Sequence, residues 1–250
     1  MGVVIYGGRD YCPAMKFTDP LQHGRLIKRY KRFMADIERD DGDVVTAHCA
    51  NSGSMISVNE PGSEVWISPA KNPDRKLKFT WELIRIKDAM VGINTSHPNG
   101  IVAEAIHNGE IPELTGYENL RREVKYGGNS RIDILLEDSE KPDCYVEVKN
   151  VTLKRDLSAD APCEFPDGVT ARGTKHLGEL EQMVKDGKRA VMFYLVQRDD
   201  AQTFALADDI DPAYSEAFHR VRNNGVEMVC YGCRLTPEEI VIDRKVEIVI

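Results

Sequence analysis

At 250 residues the chain has room for one large domain or two of ordinary size. A content of 42% hydrophobic and 30% charged residues fits a folded globular protein, and a net charge of −8 excludes a generic polyanion binder for the chain as a whole. No apolar run approaches the roughly 20 residues that span a bilayer. The start, MGVVIYGGRDY, lacks the basic and apolar parts of a secretory leader, and Tyr6 breaks the N-myristoylation pattern. A cytoplasmic protein with no membrane partner is expected.

Charge is divided unevenly along the chain. Residues 16–96 carry 13 Lys/Arg against 11 Asp/Glu, whereas residues 97–250 carry 19 against 29. The first part is the one whose charge suits a phosphate backbone; the second suits a carboxylate metal site. The six cysteines are scattered and read as free thiols. Cys230-x-x-Cys233 has the spacing of a zinc half-site or redox pair. It lies in a strand-like run with no second pair nearby in sequence, so two ordinary thiols are expected.

Residues 1–15 are Gly-rich and unpatterned, an extension or a loosely docked arm. Residues 16–96 show short strands at Arg25–Ile27, Arg32–Glu38, Val44–His48, Val65–Ser68, Trp81–Ile86 and Val91–Asn94, separated by Gly, Pro and Asn turns. That many strands in so short a span predicts a small β-barrel of the five-stranded OB type. Within it Arg25, Lys28, Arg29, Lys31 and Arg32 interleave with Tyr30 and Phe33, a composition that suits phosphate contact and base stacking. The same run also reads as a solvated strand face with its aromatics in the core. Trp81 is expected in the core. Asn51-Ser52-Gly53 reads as a phosphate-contacting loop or as a simple turn.

From residue 97 the pattern changes. A helix is predicted over Pro98–Asn108 with Gly109 as its stop, then a strand at Arg121–Tyr126 and a turn at Gly127-Gly128-Asn129. Two strands follow in SRIDILLEDSEKPDCYVEVKNV (Ser130–Val151). Residues 153–172 read as a loop. Helices are predicted over Thr174–Asp186 and Pro212–Asn223, the latter capped by Asp211, with strands at Ala190–Gln197, Val226–Leu235 and Ile240–Ile250. The order α-β-β-β-α-β-α-β-β predicts an α/β domain over residues 97–250 with a mixed central sheet.

The chemistry concentrates in the strand pair. If the turn centres on Glu140, Asp133 lies opposite Glu147, and Lys149, two residues on, shares the face of Glu147. Ile132, Ile134 and Leu136 then face the core together. Asp133 and Glu147 are hard oxygen ligands suited to Mg2+ or Mn2+, with the Val148 carbonyl as a third donor. Lys149 is placed to orient water and to stabilise charge on a phosphate. The competing reading is an ion-pair cluster on a sheet face.

These segments, together with LIKRYKRFMADI (Leu26–Ile37), HCANSGSM (His48–Met55), TWEL (Thr80–Leu83) and FPDGVTARGTKHLGEL (Phe165–Leu180), resemble the sugar fermentation stimulation protein A (SfsA) family across nearly the whole chain. The resemblance implies an OB-fold domain joined to a PD-(D/E)xK nuclease-like α/β domain, DNA as partner, and a motif carried by Asp133, Glu147 and Lys149. Asn150 departs from the Ser often found there. Nucleases of that fold add a further acid, for which Glu104 on the helix and Glu123 on the preceding strand are candidates. Glu123 also reads as a salt-bridge partner of Lys125 or Arg131. Lys175 is a candidate phosphate contact, and His176 either a site residue or a hydrogen-bonded structural one. Asn51 joins the basic run as a candidate nucleic-acid contact. The expected function is DNA binding with possible Mg2+- or Mn2+-dependent phosphodiester cleavage; the alternative is a non-catalytic DNA-binding regulator of sugar-utilisation genes. A metabolite sensor is suggested by the family name alone. The oligomeric state is left open.

Overall fold

A computed structural model describes residues 15–127 and 130–250. Residues 1–14 of the expected arm and the Gly128-Asn129 part of the expected turn lie outside the described residues. A two-residue strand, β1 (Met15–Lys16), pairs with β15 (Glu239–Lys245) of the second domain.

The N-terminal domain comprises β2 (Gln22–Tyr30), β3 (Met34–Arg39), β4 (Val44–Cys49), β5 (Glu64–Pro69), β6 (Phe79–Ile86) and β7 (Ala89–Gly92). Pairing of β2 with β3 and β5, of β3 with β4, and of β6 with both β4 and β5 closes a five-stranded barrel, with β7 added on β6. Alternation fills it: Leu26, Ala35, Ile37, Ala47, Val65, Ile67 and Trp81 all point inward and are buried. Trp81, wholly buried, satisfies its indole N–H on the Leu83 carbonyl. The expected OB barrel is present, and its first strand is longer than the basic run suggested.

The C-terminal domain runs α1 (Pro98–His107), β8 (Asn119–Tyr126), β9 (Ser130–Glu137), β10 (Cys144–Val151), β11 (Cys163–Phe165), α2 (Ala171–Lys185), β12 (Arg189–Val196), β13 (Thr203–Leu206), α3 (Pro212–Asn223), β14 (Glu227–Leu235), β15 and β16 (Glu247–Ile248). Its main sheet has the order β1-β15-β14-β12-β10-β9-β8. β10, β12 and β14 are parallel and the flanking pairs antiparallel, which is the mixed sheet expected. Asp211 caps α3 by accepting the Tyr214 N–H, and Thr170 caps α2 through Gly173.

Two apolar layers enclose the sheet. One joins α1 to Trp66, Leu83 and Met90 of the barrel, so a continuous core ties the two domains together. The other lies under α2 and α3. Two sequence expectations fail here. Ile132 belongs to the α2 layer while Ile134 and Leu136 belong to the α1 layer, so regular alternation breaks at Asp133. Residues 153–172 are not all loop, because β11 forms a three-stranded sheet with β13 and β16. Cys230 and Cys233 fall in opposite layers, separated by a bulge at Gly232, and are free buried thiols.

Candidate functional site

Strand register brings the two acids together. Val146 stands opposite Ile134, so the next positions along β10 and β9 are Glu147 and Asp133. Asp133 Oδ2 accepts the Val148 N–H at 2.8 Å, and its Oδ1 accepts Asn99 Nδ2, from the first turn of α1, at 2.7 Å. Glu147 is buried against α2. Its Oε1 accepts Lys149 Nζ at 2.7 Å and the His176 Nδ1–H at very short range, whereas its Oε2 is buried with no hydrogen-bond partner. Arg172, one turn earlier on α2, reaches His176 Nε2 at 3.3 Å.

The environments set the two carboxyls apart. Burial, then repulsion from Glu147, pushes Asp133 up to about 6 against the pull of the Val148 N–H, Lys149 and Asn99. Burial also acts to raise Glu147, but the His176 and Lys149 contacts outweigh it and hold that carboxyl below its ordinary value. The pair is thus short of positive charge on the side of Asp133 and of the bare Oε2.

Two hard carboxylates, one with a desolvated free oxygen, fit a small divalent cation. Among the described residues no group of three or more His, Cys, Asp or Glu forms a closed cage. A cation here would therefore keep water ligands, as Mg2+ habitually does.

The pair lines the wall of a cleft of about 460 Å³ between the domains, opposite the barrel turn Asn51–Gly53. Asp167 ties the two sides together: its Oδ2 accepts the Met55 N–H and its carbonyl accepts Ser54 Oγ. The approach at Gly53 is close, since a Cβ there would lie 2.5 Å from the Asp167 carboxylate and force it to shift.

Of the sequence candidates, Asp133, Glu147 and Lys149 share this cleft with Asn51 on the facing barrel turn. Glu123 is at its rim, exposed and with φ +55°, where it accepts from Asn99 Nδ2 at 3.3 Å. Glu104 is not in the cleft; it faces Glu110 and Met15 across α1. Helical periodicity explains the miss, because Asn99 occupies the turn of α1 that meets Asp133 and Glu104 is five residues on. Lys175 is likewise turned away, onto Ser130 Oγ at 3.1 Å and Glu179 at 3.3 Å, while Arg172 and His176 line the cleft. Asn99 and Arg172 went unnoticed because neither belongs to the acid–E-x-K spacing. One signal was available: Arg172 stands four residues before His176, on the same helix face.

The basic run divides. Arg29 is internally committed, its guanidinium donating to the carbonyls of Arg32, Asn51 and Gly53 at 3.0–3.1 Å. Asn51 is buried; its Nδ2 donates to the Ile93 carbonyl and its Oδ1 accepts the Gly53 N–H. Both hold the turn through these bonds, Asn51 also lining the cleft and Arg29 the groove beside it. Arg25 donates to the Gly62 carbonyl, and Lys28 sits 3.7 Å from Asp36 and over the Tyr30 ring. Lys31 and Arg32 are exposed at the β2–β3 tip.

Two family models match the chain: the SfsA N-terminal OB domain over residues 27–93, and the sugar fermentation stimulation protein RE domain over residues 96–239. A sugar fermentation stimulation protein homolog of Rhodospirillum rubrum is 60% identical, the match spanning 89% of this chain and 94% of the relative. A homolog of Paramagnetospirillum magneticum is 59% identical over 90% and 94%. The solved structure of Pyrococcus furiosus SfsA in complex with Ca2+ superposes with a TM-score of 0.82 at 24% identity, covering 96% of this chain and all of that one.

Proposed function

This chain belongs to the sugar fermentation stimulation protein (SfsA) family, and from that premise we propose that it binds DNA and cleaves its phosphodiester bonds with a divalent cation held by Asp133 and Glu147. The observation that carries the reading is the bare, buried Oε2 of Glu147 beside Asp133, with the Lys149 ammonium on the same spot. The Pyrococcus furiosus protein was solved with Ca2+, a hard cation of the same ligand preference as Mg2+, which supports a divalent site.

A bound Mg2+ or Mn2+ would polarise a phosphate oxygen and acidify a coordinated water. The chain's own groups do the rest. Asp133 and Glu147 bind through carboxylate oxygens, Asp133 being oriented by Asn99 and the Val148 N–H. His176 fixes Glu147 through Oε1 and leaves Oε2 for the ligand. Lys149 and Arg172 supply the positive charge that a pentavalent phosphate transition state requires. The barrel turn Asn51–Gly53 forms the facing wall of the cleft.

The test is a panel of labelled single-stranded, duplex and branched DNA incubated with Mg2+ or Mn2+ and the wild-type, Asp133→Ala and Lys149→Ala proteins. Wild-type cleavage lost in both variants and in EDTA is the expected result. Cleavage that survives Asp133→Ala sinks the assignment. Binding without any cleavage selects the non-catalytic DNA-binding regulator instead.

A further inference from the structure

We propose that the substrate of this site is an unpaired polynucleotide strand, led from the carboxylates across the barrel turn to a stacking shelf at Phe33. The inference rests on the function just proposed and specifies its substrate.

Three observations point the same way. First, the reacting groups are recessed. Glu147 is 2% exposed, and the cleft above it, at about 460 Å³, is of the size that encloses a small ligand. A single strand threads such a space; a base-paired duplex does not. Second, the cleft continues. A neighbouring groove of about 530 Å³ shares Ser52, Gly53, Phe165 and Asp167 with it and is lined by Arg29 and Arg32. Third, the next residue, Phe33, is 43% exposed, an unusual place for a phenyl ring, and lies 6.3 Å from the His48 ring at an interplanar angle of 31°. Such a ring offers its face to a base only when that base is free of its partner strand.

The loop that carries this shelf breaks a local rule. Lys31 and Arg32 have φ of +47° and +63°. Hairpin turns of this kind favour Asn and Gly, and a long side chain held there is strained. Two exposed cations kept at strained positions beside an exposed aromatic fit a phosphate-and-base contact and have no packing role. Arg29 supports the arrangement from below by bonding the Arg32 carbonyl and the Asn51–Gly53 turn together.

The experiment measures fluorescence anisotropy of the full chain, in EDTA to prevent cleavage, with labelled oligo-dT, oligo-U of equal length, and a duplex of the same length. Expected are tighter binding of the single strands than of the duplex, and a loss of about tenfold for single strands in Phe33→Ala, largely restored by Phe33→Trp. The two single-strand arms show whether deoxyribose or ribose is preferred. Duplex affinity equal to or above that of both single strands overturns the proposal, as does Phe33→Ala binding them within twofold of wild type with an unchanged melting temperature. Should no substrate be cut with Mn2+ in the separate assay, the cleavage reading fails while the anisotropy still decides the strand preference.

Discussion

Glu147 gives one carboxylate oxygen to His176 and keeps the other buried with no partner. The Arg172 guanidinium, which can only donate, sets the ring's tautomer, and Lys149 Nζ also lies 3.2 Å from Nδ1. Nδ1 carries the proton toward Glu147, and Nε2 accepts from the Arg172 guanidinium. His176 is therefore a positioning residue whose loss frees Glu147 to rotate. His176→Ala is expected to lower both Mn2+ affinity and metal-dependent cleavage by about 10- to 100-fold. His176→Gln, whose amide still donates, should recover part of both. Calorimetric titration with Mn2+ reads the affinity directly, and an unchanged value in His176→Ala would show that Glu147 is held without it.

Asp133 makes the metal-free protein pH-sensitive. Its carboxyl, about 6 in the fold against an ordinary 3.8, binds its proton more tightly when folded. Stability from this group therefore falls as pH rises from about 4 to about 6, and above that the folded state bears a penalty of roughly 3 kcal/mol. Glu147, held low, contributes in the opposite sense, stabilising at neutral pH and losing that contribution on acidification. Two results follow for Asp133→Asn. In EDTA at neutral pH it should melt higher than wild type, and it should no longer be stabilised further by Mn2+. In the wild type, metal affinity should decline by about tenfold per pH unit below about 6, as protons compete for Asp133. Thermal melts across pH, with and without Mn2+, check all three.

The strand pair was legible because its information is local. Hairpin symmetry about Glu140 fixes which residues oppose, and the period of two fixes that Glu147 and Lys149 share a face. Asp211, Gly109 and Gly225 likewise mark helix ends through their own backbone requirements. The break of alternation between Ile132 and Ile134 was not legible, since it depends on a strand switching layers where α1 and α2 both press on it. The choice of Asn99 over Glu104, and of Arg172 over Lys175, depends on the rotation of each helix against the sheet. That rotation is set by tertiary packing and leaves little trace in residue type. The basic run was only partly legible for a different reason: composition cannot tell which guanidinium, like that of Arg29, is bonded to its own chain's carbonyls.

That distinction has a measurable consequence. Arg29→Ala removes donors to three carbonyls of the cleft turn and should destabilise the protein by about 1.5–3 kcal/mol in denaturant unfolding. Arg29→Lys should not rescue it, because an ammonium lacks the forked geometry. Lys31→Ala/Arg32→Ala should leave stability near wild type, or raise it by relieving charge crowding, while reducing the salt dependence of DNA binding by up to about two counterions. A stable Arg29→Ala protein with a reduced salt slope would return Arg29 to the ligand surface.

Glu104 separates structure from function most simply. Burial, then repulsion from Glu110, raises its carboxyl to about 7, and its Oε1 is buried without a partner. The folded state favours the protonated form, so the fold loses stability as pH rises from about 4.5 through about 7 and bears the full penalty above that. Glu104→Gln keeps the shape and removes the charge. It is expected to melt higher than wild type at about pH 8 and close to it at about pH 4, where wild-type Glu104 is itself neutral. Because Glu104 lies outside the cleft of Asp133 and Glu147, the same variant should titrate Mn2+ and cleave DNA as wild type does. Loss of Mn2+ binding in Glu104→Gln would instead place this acid among the ligands, and would require α1 to rotate when the cation binds.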